Sequence, residues 1–161
     1  MGLFNKLFGK TVDVLHAPVA GMAVSITQVP DPGFAEGLLG KGVAVEPSEG
    51  KLYAPCDATV DTMFETGHAV SLVADFGAEV LIHVGLETVN LRGRHFTVHC
   101  TGGDKVKRGD LLIEFDAEAL RAEGYNIITS MMVCNSGDFG TFRCVTGKNV
   151  TAADPIIELA K

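Results

Sequence analysis

Two histidines of one predicted hairpin have the types and spacing that could do chemistry. His68 and His83 lie fifteen residues apart, each at the rim of an apolar run, with a Gly-containing turn between the runs. Imidazole has an ordinary pKa of about 6.5, so at neutral pH it offers an unprotonated nitrogen to phosphorus or to a metal ion. Each ring has two nitrogens to satisfy, so a buried pair without a function would be destabilising. The pair therefore predicts nucleophilic or metal chemistry, provided that the two rings meet.

Whether the rings meet depends on the register of the hairpin. Residues 68–74 and 78–84 are apolar runs of strand length, and the letters ADFG between them predict a turn. A loop of two or four residues places His68 directly opposite His83, with Cβ atoms about 4.5 to 5.5 Å apart. A three-residue loop with Gly77 at a bulge shifts the pairing by one residue and puts the rings on opposite faces. The hairpin residues alone leave both loops open.

The register that opposes the histidines also predicts which side chains are buried. It places Val70, Leu72 and Leu81 on the same face as the two rings. The other face would then pack against the core, and it would carry Ala69, Val73, Val80, Ile82 and Val84.

The remaining histidines and the common catalytic motifs add no second site. His95 and His99 are four residues apart, which is about 13 Å along a strand and too far for one metal ion. We expect both to be exposed, and we expect His16 to be structural. The letters GLLGKG from Gly37 lack the spacing of a phosphate-binding P-loop, and neither G-x-S-x-G nor H-E-x-x-H occurs.

Composition and charge exclude several classes of function. The formal net charge of -7 argues against binding to nucleic acid and to anionic membranes, because both need basic patches. The four cysteines include no C-x-x-C pair and no secretory signal precedes them, so we expect reduced thiols and a cytoplasmic protein. No apolar stretch approaches the roughly 18 to 20 residues of a membrane span.

Residues 1–10 form a segment with a character of its own. The sequence MGLFNKLFGK would put Leu3, Phe4, Leu7 and Phe8 on one face of a short helix. We expect a flexible or amphipathic segment here, and weak contact with a membrane surface is the alternative to a loosely ordered terminus.

Short apolar runs separated by Gly and Pro predict an all-β domain over residues 11–161. The strands are expected to form an antiparallel β-sandwich with one or two short helices. The clearest helix covers residues 116–123, with Asp116 as its N-cap and Gly124 at its end. LHAPVAGMAV from Leu15 and LYAPCDATVD from Leu52 share an L-x-A-P pattern, which indicates a duplicated strand-turn unit.

Several segments resemble one family. GAEVLIHVGLETVNLRG from Gly77 is similar to the phosphorylation-site signature of the glucose-type enzyme IIA of the bacterial phosphotransferase system. FETGHA from Phe64 resembles the second active-site segment of that family. FAEGLLGKGVAVEP, LYAPCDATV and the opening MGLFNKL match it as well, so that the resemblance covers nearly the whole chain. The family fold is a barrel-sandwich of the duplicated hybrid motif.

The resemblance implies a phosphocarrier. His83 would accept a phosphoryl group from the phosphohistidine of HPr and pass it to a cysteine on the IIB domain of a sugar permease. His68 would hydrogen-bond the phosphoryl oxygens, and the Thr66 hydroxyl would fix His68. Positioning and hydrogen-bond donors are the main requirements of phosphoryl transfer, so no cofactor is expected. The resemblance also favours the register in which the histidines oppose each other.

The same resemblance implies an apolar rim on which two unlike partner proteins dock. Apolar contact tolerates differences between partners, and the rim would consist of Phe34, Phe64, Val70 and Leu81. Glu87 would border it. Many relatives carry Asp in place of Glu87, so the role of this longer carboxylate is left open.

Two other functions compete with the carrier. In the first, the protein regulates transporters or kinases, and His68 and His83 bind Zn²⁺ with a carboxylate from the partner. In the second, it is a metal-dependent hydrolase on a related sandwich, but such enzymes need an H-x-H pair that this chain does not contain.

Overall fold

The computed structural model describes the backbone of residues 6–7 and 10–161 and the side chains from residue 12 onward. Three 3-10 turns accompany the strands and helices, at Ile26–Gln28, Thr88–Leu91 and Ser136–Asp138. In chain order the strands are β1 (Lys6–Leu7), β2 (Lys10–Thr11), β3 (Asp13–His16), β4 (Gly21–Ser25), β5 (Lys41–Pro47), β6 (Lys51–Tyr53), β7 (Ala58–Met63), β8 (Ala69–Ala74), β9 (Glu79–Val84), β10 (Phe96–Val98), β11 (Lys105–Val106), β12 (Leu111–Phe115), β13 (Thr129–Val133), β14 (Thr141–Cys144), β15 (Lys148–Val150) and β16 (Pro155–Ala160), and the helices are α1 (Pro32–Ala35) and α2 (Ala117–Ala122).

One large sheet carries most of the strands. It has eight strands in the order β11-β7-β8-β9-β13-β5-β4-β15, and two three-stranded sheets have the orders β10-β12-β6 and β14-β16-β3. The strand pairs are antiparallel, and apolar side chains of the large and small sheets share one core, which includes Leu15, Leu52, Ile82, Leu112 and Leu159. The all-β antiparallel sandwich with two short helices is therefore confirmed.

The repeated L-x-A-P pattern occupies equivalent places in the two halves. The His16 amide donates to the Pro55 carbonyl at 2.8 Å, and the Tyr53 amide donates to the Pro18 carbonyl at 2.7 Å. These bonds are reciprocal, because each copy donates from the residue after its Leu and accepts at its Pro. The two copies of the predicted repeat are thus joined to each other by backbone hydrogen bonds.

In the hairpin of β8 and β9, the strand register does not place His68 directly opposite His83. Ala69, and not His68, is the residue paired with His83. The Gly77 amide donates to the Ala74 carbonyl at 2.8 Å, and Gly77 has φ +99°, which are the features of a three-residue loop with a bulge. The register favoured by the resemblance is therefore wrong by one residue.

This register inverts the burial predicted for Val70, Leu72 and Val73 of β8, while Ala69 is buried as predicted and the burial predicted for β9 is kept. Val70 and Leu72 are 0% and 1% exposed and belong to the core, whereas Val73 is 41% exposed. On β9, Val80, Ile82 and Val84 are buried as predicted. A one-residue slip moves every side chain of one strand to the other face, which explains the inversion.

Both helices begin at capping aspartates. The Asp116 carboxylate accepts from the Ala119 amide at 3.0 Å, and Gly124 follows α2 with φ +87°, so this helix is confirmed. α1 was not located from the sequence. Its N-cap is Asp31, whose carboxylate accepts from the Gly33 amide at 2.9 Å, and its single turn carries the buried Phe34.

The amphipathic helix considered for residues 1–10 falls mostly outside the described residues. Within it, the backbones of β1 and β2 pair with each other. Among the described residues, no helix combines the length and apolar character needed to cross a bilayer.

Candidate functional site

The rings of His68 and His83 meet although their backbones are not directly opposed. Their centroids are 4.9 Å apart and the ring planes are inclined by 81°. His68 precedes β8, and the turn before it is tight: the Gly67 amide donates to the Phe64 carbonyl at 2.8 Å, and Gly67 has φ +69°. His68 lies just before β8 and directly after this turn, so the in-and-out alternation of the strand does not decide the side on which its ring lies. The two rings are therefore in contact as predicted, but not through the direct strand pairing from which the contact was predicted.

Hydrogen bonding determines which nitrogen of His83 is free. Its Nδ1 lies 2.8 Å from the carbonyl oxygen of Gly85. A carbonyl oxygen can only accept, so Nδ1 carries the proton and donates, and the lone pair is on Nε2. Burial lowers the pKa of His83, although the Gly85 carbonyl and the Asp31 carboxylate both act to raise it. At neutral pH the ring is uncharged and Nε2 can act as a nucleophile.

His68 is held by the hydroxyl of Thr66. His68 is 5% exposed as a residue, and its Nδ1 is hydrogen-bonded to Thr66 Oγ1. Burial, followed by the proximity of His83, lowers the pKa of His68 to about 4. The neutral ring has one proton, and when the hydroxyl donates to Nδ1 that proton resides on Nε2. In this tautomer His68 can donate a hydrogen bond to an anion bound beside His83.

Two phenylalanines flank the pair of imidazoles. The Phe34 ring lies 5.1 Å from the His83 ring, and the Phe64 ring lies 5.6 Å from the His68 ring. Phe34 is 7% exposed, so it packs against His83 from inside the protein. Phe64 is 39% exposed and lies at the surface. Apolar walls of this kind reduce competition from water for the polar atoms between them.

A comparison with known proteins now identifies the family. Residues 13–139 match the family described as phosphoenolpyruvate-dependent sugar phosphotransferase system, EIIA 1. The chain belongs to this family. The sequence-based resemblance to the glucose-type enzyme IIA is therefore confirmed, since glucose-specific EIIA components of other bacteria are also among its relatives.

Relatives of the EIIA 1 family are both separate proteins and parts of longer chains. The PTS system glucose-specific EIIA component of Haemophilus influenzae is 38% identical over 166 residues, and the alignment covers 100% of both chains. The PTS system beta-glucoside-specific EIIBCA component of Dickeya chrysanthemi is 46% identical over 147 residues, 91% of this chain. Across four EIIBCA relatives this chain spans 21% to 23% of their length.

A solved structure of the same kind has the same fold. The glucose permease IIA from Mycoplasma capricolum superposes with a TM-score of 0.88 at 28% sequence identity. The match covers 95% of this chain and 99% of that chain. The EIIA fold therefore extends over nearly the whole molecule.

The EIIA docking rim predicted from the sequence needs one correction. Phe34, Phe64 and Leu81 surround the histidines or lie on their face of the sheet, but Val70 is 0% exposed and points into the core. It cannot contact a partner, because the register of β8 turns it inward. Glu87 is exposed and has φ +58° at the start of the 3-10 turn that follows β9.

Sequence reasoning missed three exposed apolar residues close to the site in the chain. Leu38 and Leu39, just after α1, are 73% and 39% exposed, and Val89, just after Glu87, is 49% exposed. Large apolar side chains that stay exposed are typical of a protein-binding surface. The signal was available in GLLGKG, where two leucines stand between glycines and cannot form the buried face of a long element.

The metal ligands predicted in the EIIA site are limited to two imidazoles. Among the described residues, no group of three or more His, Cys, Asp or Glu side chains is arranged to hold a metal ion. His68 and His83 could supply two of the four ligands that zinc prefers, and the other two would have to come from outside these residues, one of them from a partner protein. His95 and His99 lie elsewhere and pair with Glu123 and Glu114.

Proposed function

We propose that His83 accepts a phosphoryl group from the phosphohistidine of HPr and passes it to a cysteine on the IIB domain of a sugar permease. The observation that carries this proposal is the hydrogen bond from His83 Nδ1 to the Gly85 carbonyl, which leaves Nε2 as the nucleophile beside His68. Membership of the chain in the EIIA 1 family of the phosphoenolpyruvate-dependent sugar phosphotransferase system supports this proposal. In this proposal the protein acts in the cytoplasm, where phosphoenolpyruvate supplies the group.

Each transfer is a substitution at phosphorus. The lone pair on His83 Nε2 attacks the phosphorus of phospho-HPr, the bond between phosphorus and the donor imidazole breaks, and its electron pair returns to that imidazole. In the second transfer the IIB thiolate attacks the same phosphorus. The bond to Nε2 then breaks, and the electron pair returns to His83, which is restored to its neutral form.

His68 would stabilise the charge that spreads over the phosphoryl oxygens during transfer. Its Nε2 proton, secured by Thr66 at Nδ1, is a donor that needs no reorganisation at the moment of reaction. The buried and apolar setting strengthens such a hydrogen bond relative to water. Because the lowered pKa keeps His68 neutral, it acts by hydrogen bonding and not as a fixed positive charge.

The docking surface would serve both protein partners in turn. We propose that Phe64, Leu81, Leu38, Leu39 and Val89 form its apolar part, with Phe34 beneath them and Glu87 at its edge. Four relatives carry EIIB and EIIC parts in the same chain as EIIA, which supports a sugar permease as the acceptor. In this proposal neither transfer needs a cofactor, because side chains supply the hydrogen-bond donors to the phosphoryl oxygens.

Zinc binding in a regulatory complex is a second use of the same two residues. Nδ1 of both His68 and His83 is engaged within the chain, so only the Nε2 atoms could face a metal ion. This proposal requires a carboxylate from a regulated transporter or kinase. A protein that binds such partners but takes no phosphate from phospho-HPr would support it against the carrier.

Phosphorylation in a reconstituted system tests the carrier. Enzyme I, HPr and radiolabelled phosphoenolpyruvate should label the wild-type chain and His99→Ala equally, and should not label His83→Ala. His68→Gln should take up label but fail to pass it to IIB. Label on His83→Ala would contradict the assignment of the accepting residue.

A further inference from the structure

Ser130 lies beside His83 on the strand next to it. In the large sheet β9 stands between β8 and β13, and Ser130 of β13 is the residue directly paired with His83. Direct partners of an antiparallel pair point to the same face, with Cβ atoms about 4.5 to 5.5 Å apart. His68 leads into the strand on one side of His83, and Ser130 occupies the strand on the other side.

Ser130 differs from the other buried polar side chains in its hydrogen bonding. Five polar side chains of the described residues are buried, and Ser130 is 1% exposed. No hydrogen bond between described residues involves the Ser130 hydroxyl. The other four have partners: His68 with Thr66, Thr88 with the Val84 carbonyl, Thr129 with the Ile127 carbonyl, and Ser136 with the Lys41 amide.

The Ser130 hydroxyl lies on the face of the sheet that carries His83 and is not fully enclosed in the core. No fully enclosed polar side-chain atom of the described residues lacks a partner, so the residual exposure of Ser130 must belong to its oxygen. Its surroundings are otherwise apolar. Ser130 is also paired with Ala44, and the residues two positions before and after it, Ile128 and Met132, cluster with Phe34.

An unsatisfied hydroxyl in an apolar setting destabilises a protein, so its presence calls for a partner that is present only part of the time. The ring of His83 does not need this donor, since its Nδ1 is already bonded to Gly85. We propose that the Ser130 hydroxyl donates a hydrogen bond to the phosphoryl group while that group resides on His83. The inference rests on the phosphocarrier function proposed above, and it adds a second donor opposite His68.

This role predicts opposite effects of Ser130→Ala on the two forms of the protein. The unphosphorylated variant should melt at the same temperature as the wild type or higher, because a polar group without a partner is removed. The equilibrium constant for phosphorylation by phospho-HPr should fall about fivefold, because one hydrogen bond to the phosphoryl group is lost. Ser130→Thr keeps the hydroxyl and should remain closer to the wild type.

The experiment measures the labelled fraction of each full-length chain at equilibrium with phospho-HPr and HPr, together with its melting temperature. Ser136→Ala is the matched control, because Ser136 is also a buried serine but its hydroxyl already accepts from the Lys41 amide, so its loss should lower the melting temperature and leave the equilibrium constant unchanged. An unchanged equilibrium constant in Ser130→Ala overturns the proposal, and so does a lower melting temperature of its unphosphorylated form. If the wild-type chain takes no label, the phosphocarrier function itself fails, and the inference fails with it.

Discussion

The imidazole of His83 donates from Nδ1 to the carbonyl of Gly85, two residues further along its own chain, at 2.8 Å. This acceptor is held in place by backbone geometry. Gly85 has φ +73°, and its amide donates to the Ile128 carbonyl of the neighbouring segment at 2.9 Å. The nucleophile is therefore oriented by the turn that ends its strand.

Gly85→Ala should disturb both stability and the His83 tautomer. A Cβ at this position would lie 2.7 Å from Thr88 Cγ2 and 2.8 Å from the Asn126 carbonyl oxygen, so the turn must shift. Gly103→Ala is the control, because Gly103 has φ +92° with nothing within 4 Å of the added Cβ. We expect the control to lose about 1 to 2 kcal/mol of unfolding free energy and Gly85→Ala to lose more.

The tautomer itself can be followed by nitrogen NMR of the His83 ring. The proton should reside on Nδ1 in the wild type and in Gly103→Ala, and it should be shared between the two nitrogens in Gly85→Ala. An unchanged Nδ1 proton in Gly85→Ala would show that the carbonyl does not select the nucleophilic nitrogen.

Replacing Thr66 tests how His68 is held. Thr66→Val removes the hydroxyl that bonds Nδ1 and keeps the shape of the side chain. We expect the rate of transfer from phosphorylated protein to IIB to fall roughly tenfold, because the Nε2 proton of His68 is no longer secured. Thr66→Ser retains the hydroxyl and should transfer at close to the wild-type rate. Equal rates in the Val and Ser variants would remove Thr66 from the mechanism.

The pH dependence of stability should reveal the buried His68. Its pKa is lowered to about 4 in the folded protein, while the unfolded chain has the ordinary value of about 6.5. Below pH 6.5 the unfolded state therefore binds the proton more readily, and the free energy of unfolding falls as the pH drops toward 4. The contribution of this residue is at most about 3 kcal/mol. It is fully lost below the folded-state pKa.

Urea unfolding at pH 7 and pH 4.5 measures this contribution. The loss on acidification should be smaller in His68→Gln than in the wild type, and His99→Gln, an exposed histidine, provides the comparison. If His68→Gln and the wild type lose the same free energy between the two pH values, His68 is not held neutral by burial.

Substitutions of the two phenylalanines of the site should have different effects: Phe34→Ala mainly on stability and Phe64→Ala mainly on docking. Phe34 is 7% exposed and packs in the apolar cluster under His83, so Phe34→Ala should lower the free energy of unfolding by about 3 kcal/mol. Phe64 is 39% exposed, and Phe64→Ala should lower it by less than about 1 kcal/mol. We expect Phe64→Ala to raise the KM for phospho-HPr in a phosphorylation assay. A KM equal to the wild-type value would exclude Phe64 from the docking surface.

Local sequence patterns predicted much of the fold and the contact between the His68 and His83 rings, but not the register of the hairpin that carries them. Helix α2 followed from Asp116 and Gly124, and the family followed from the segment around His83. The loop of the hairpin could not be chosen, because two-, three- and four-residue loops were all compatible with the letters ADFG. The bulge at Gly77 made Val70 a core residue. The rings of His68 and His83 are nevertheless in contact, because His68 lies outside the paired part of β8.

Residues that join the site from distant parts of the chain had no local signal. Ser130 lies 47 positions after His83 in the sequence, and only the pairing of β13 with β9 brings the two together. Asp31, whose carboxylate acts to raise the pKa of His83, lies in a segment with the composition of a turn, which gave no sign that it approaches the site. Long-range strand pairing decides such contacts, and a single sequence does not reveal it.

The location of the phosphoryl group tests the central claim most directly. The chain labelled with nitrogen-15 should be phosphorylated by phospho-HPr and studied by phosphorus and nitrogen NMR, with mass spectrometry to count the groups. The account predicts one phosphoryl group per chain, bonded to Nε2 of His83. A group bonded to Nδ1 of His83, or carried by His68 or any other residue, would contradict it.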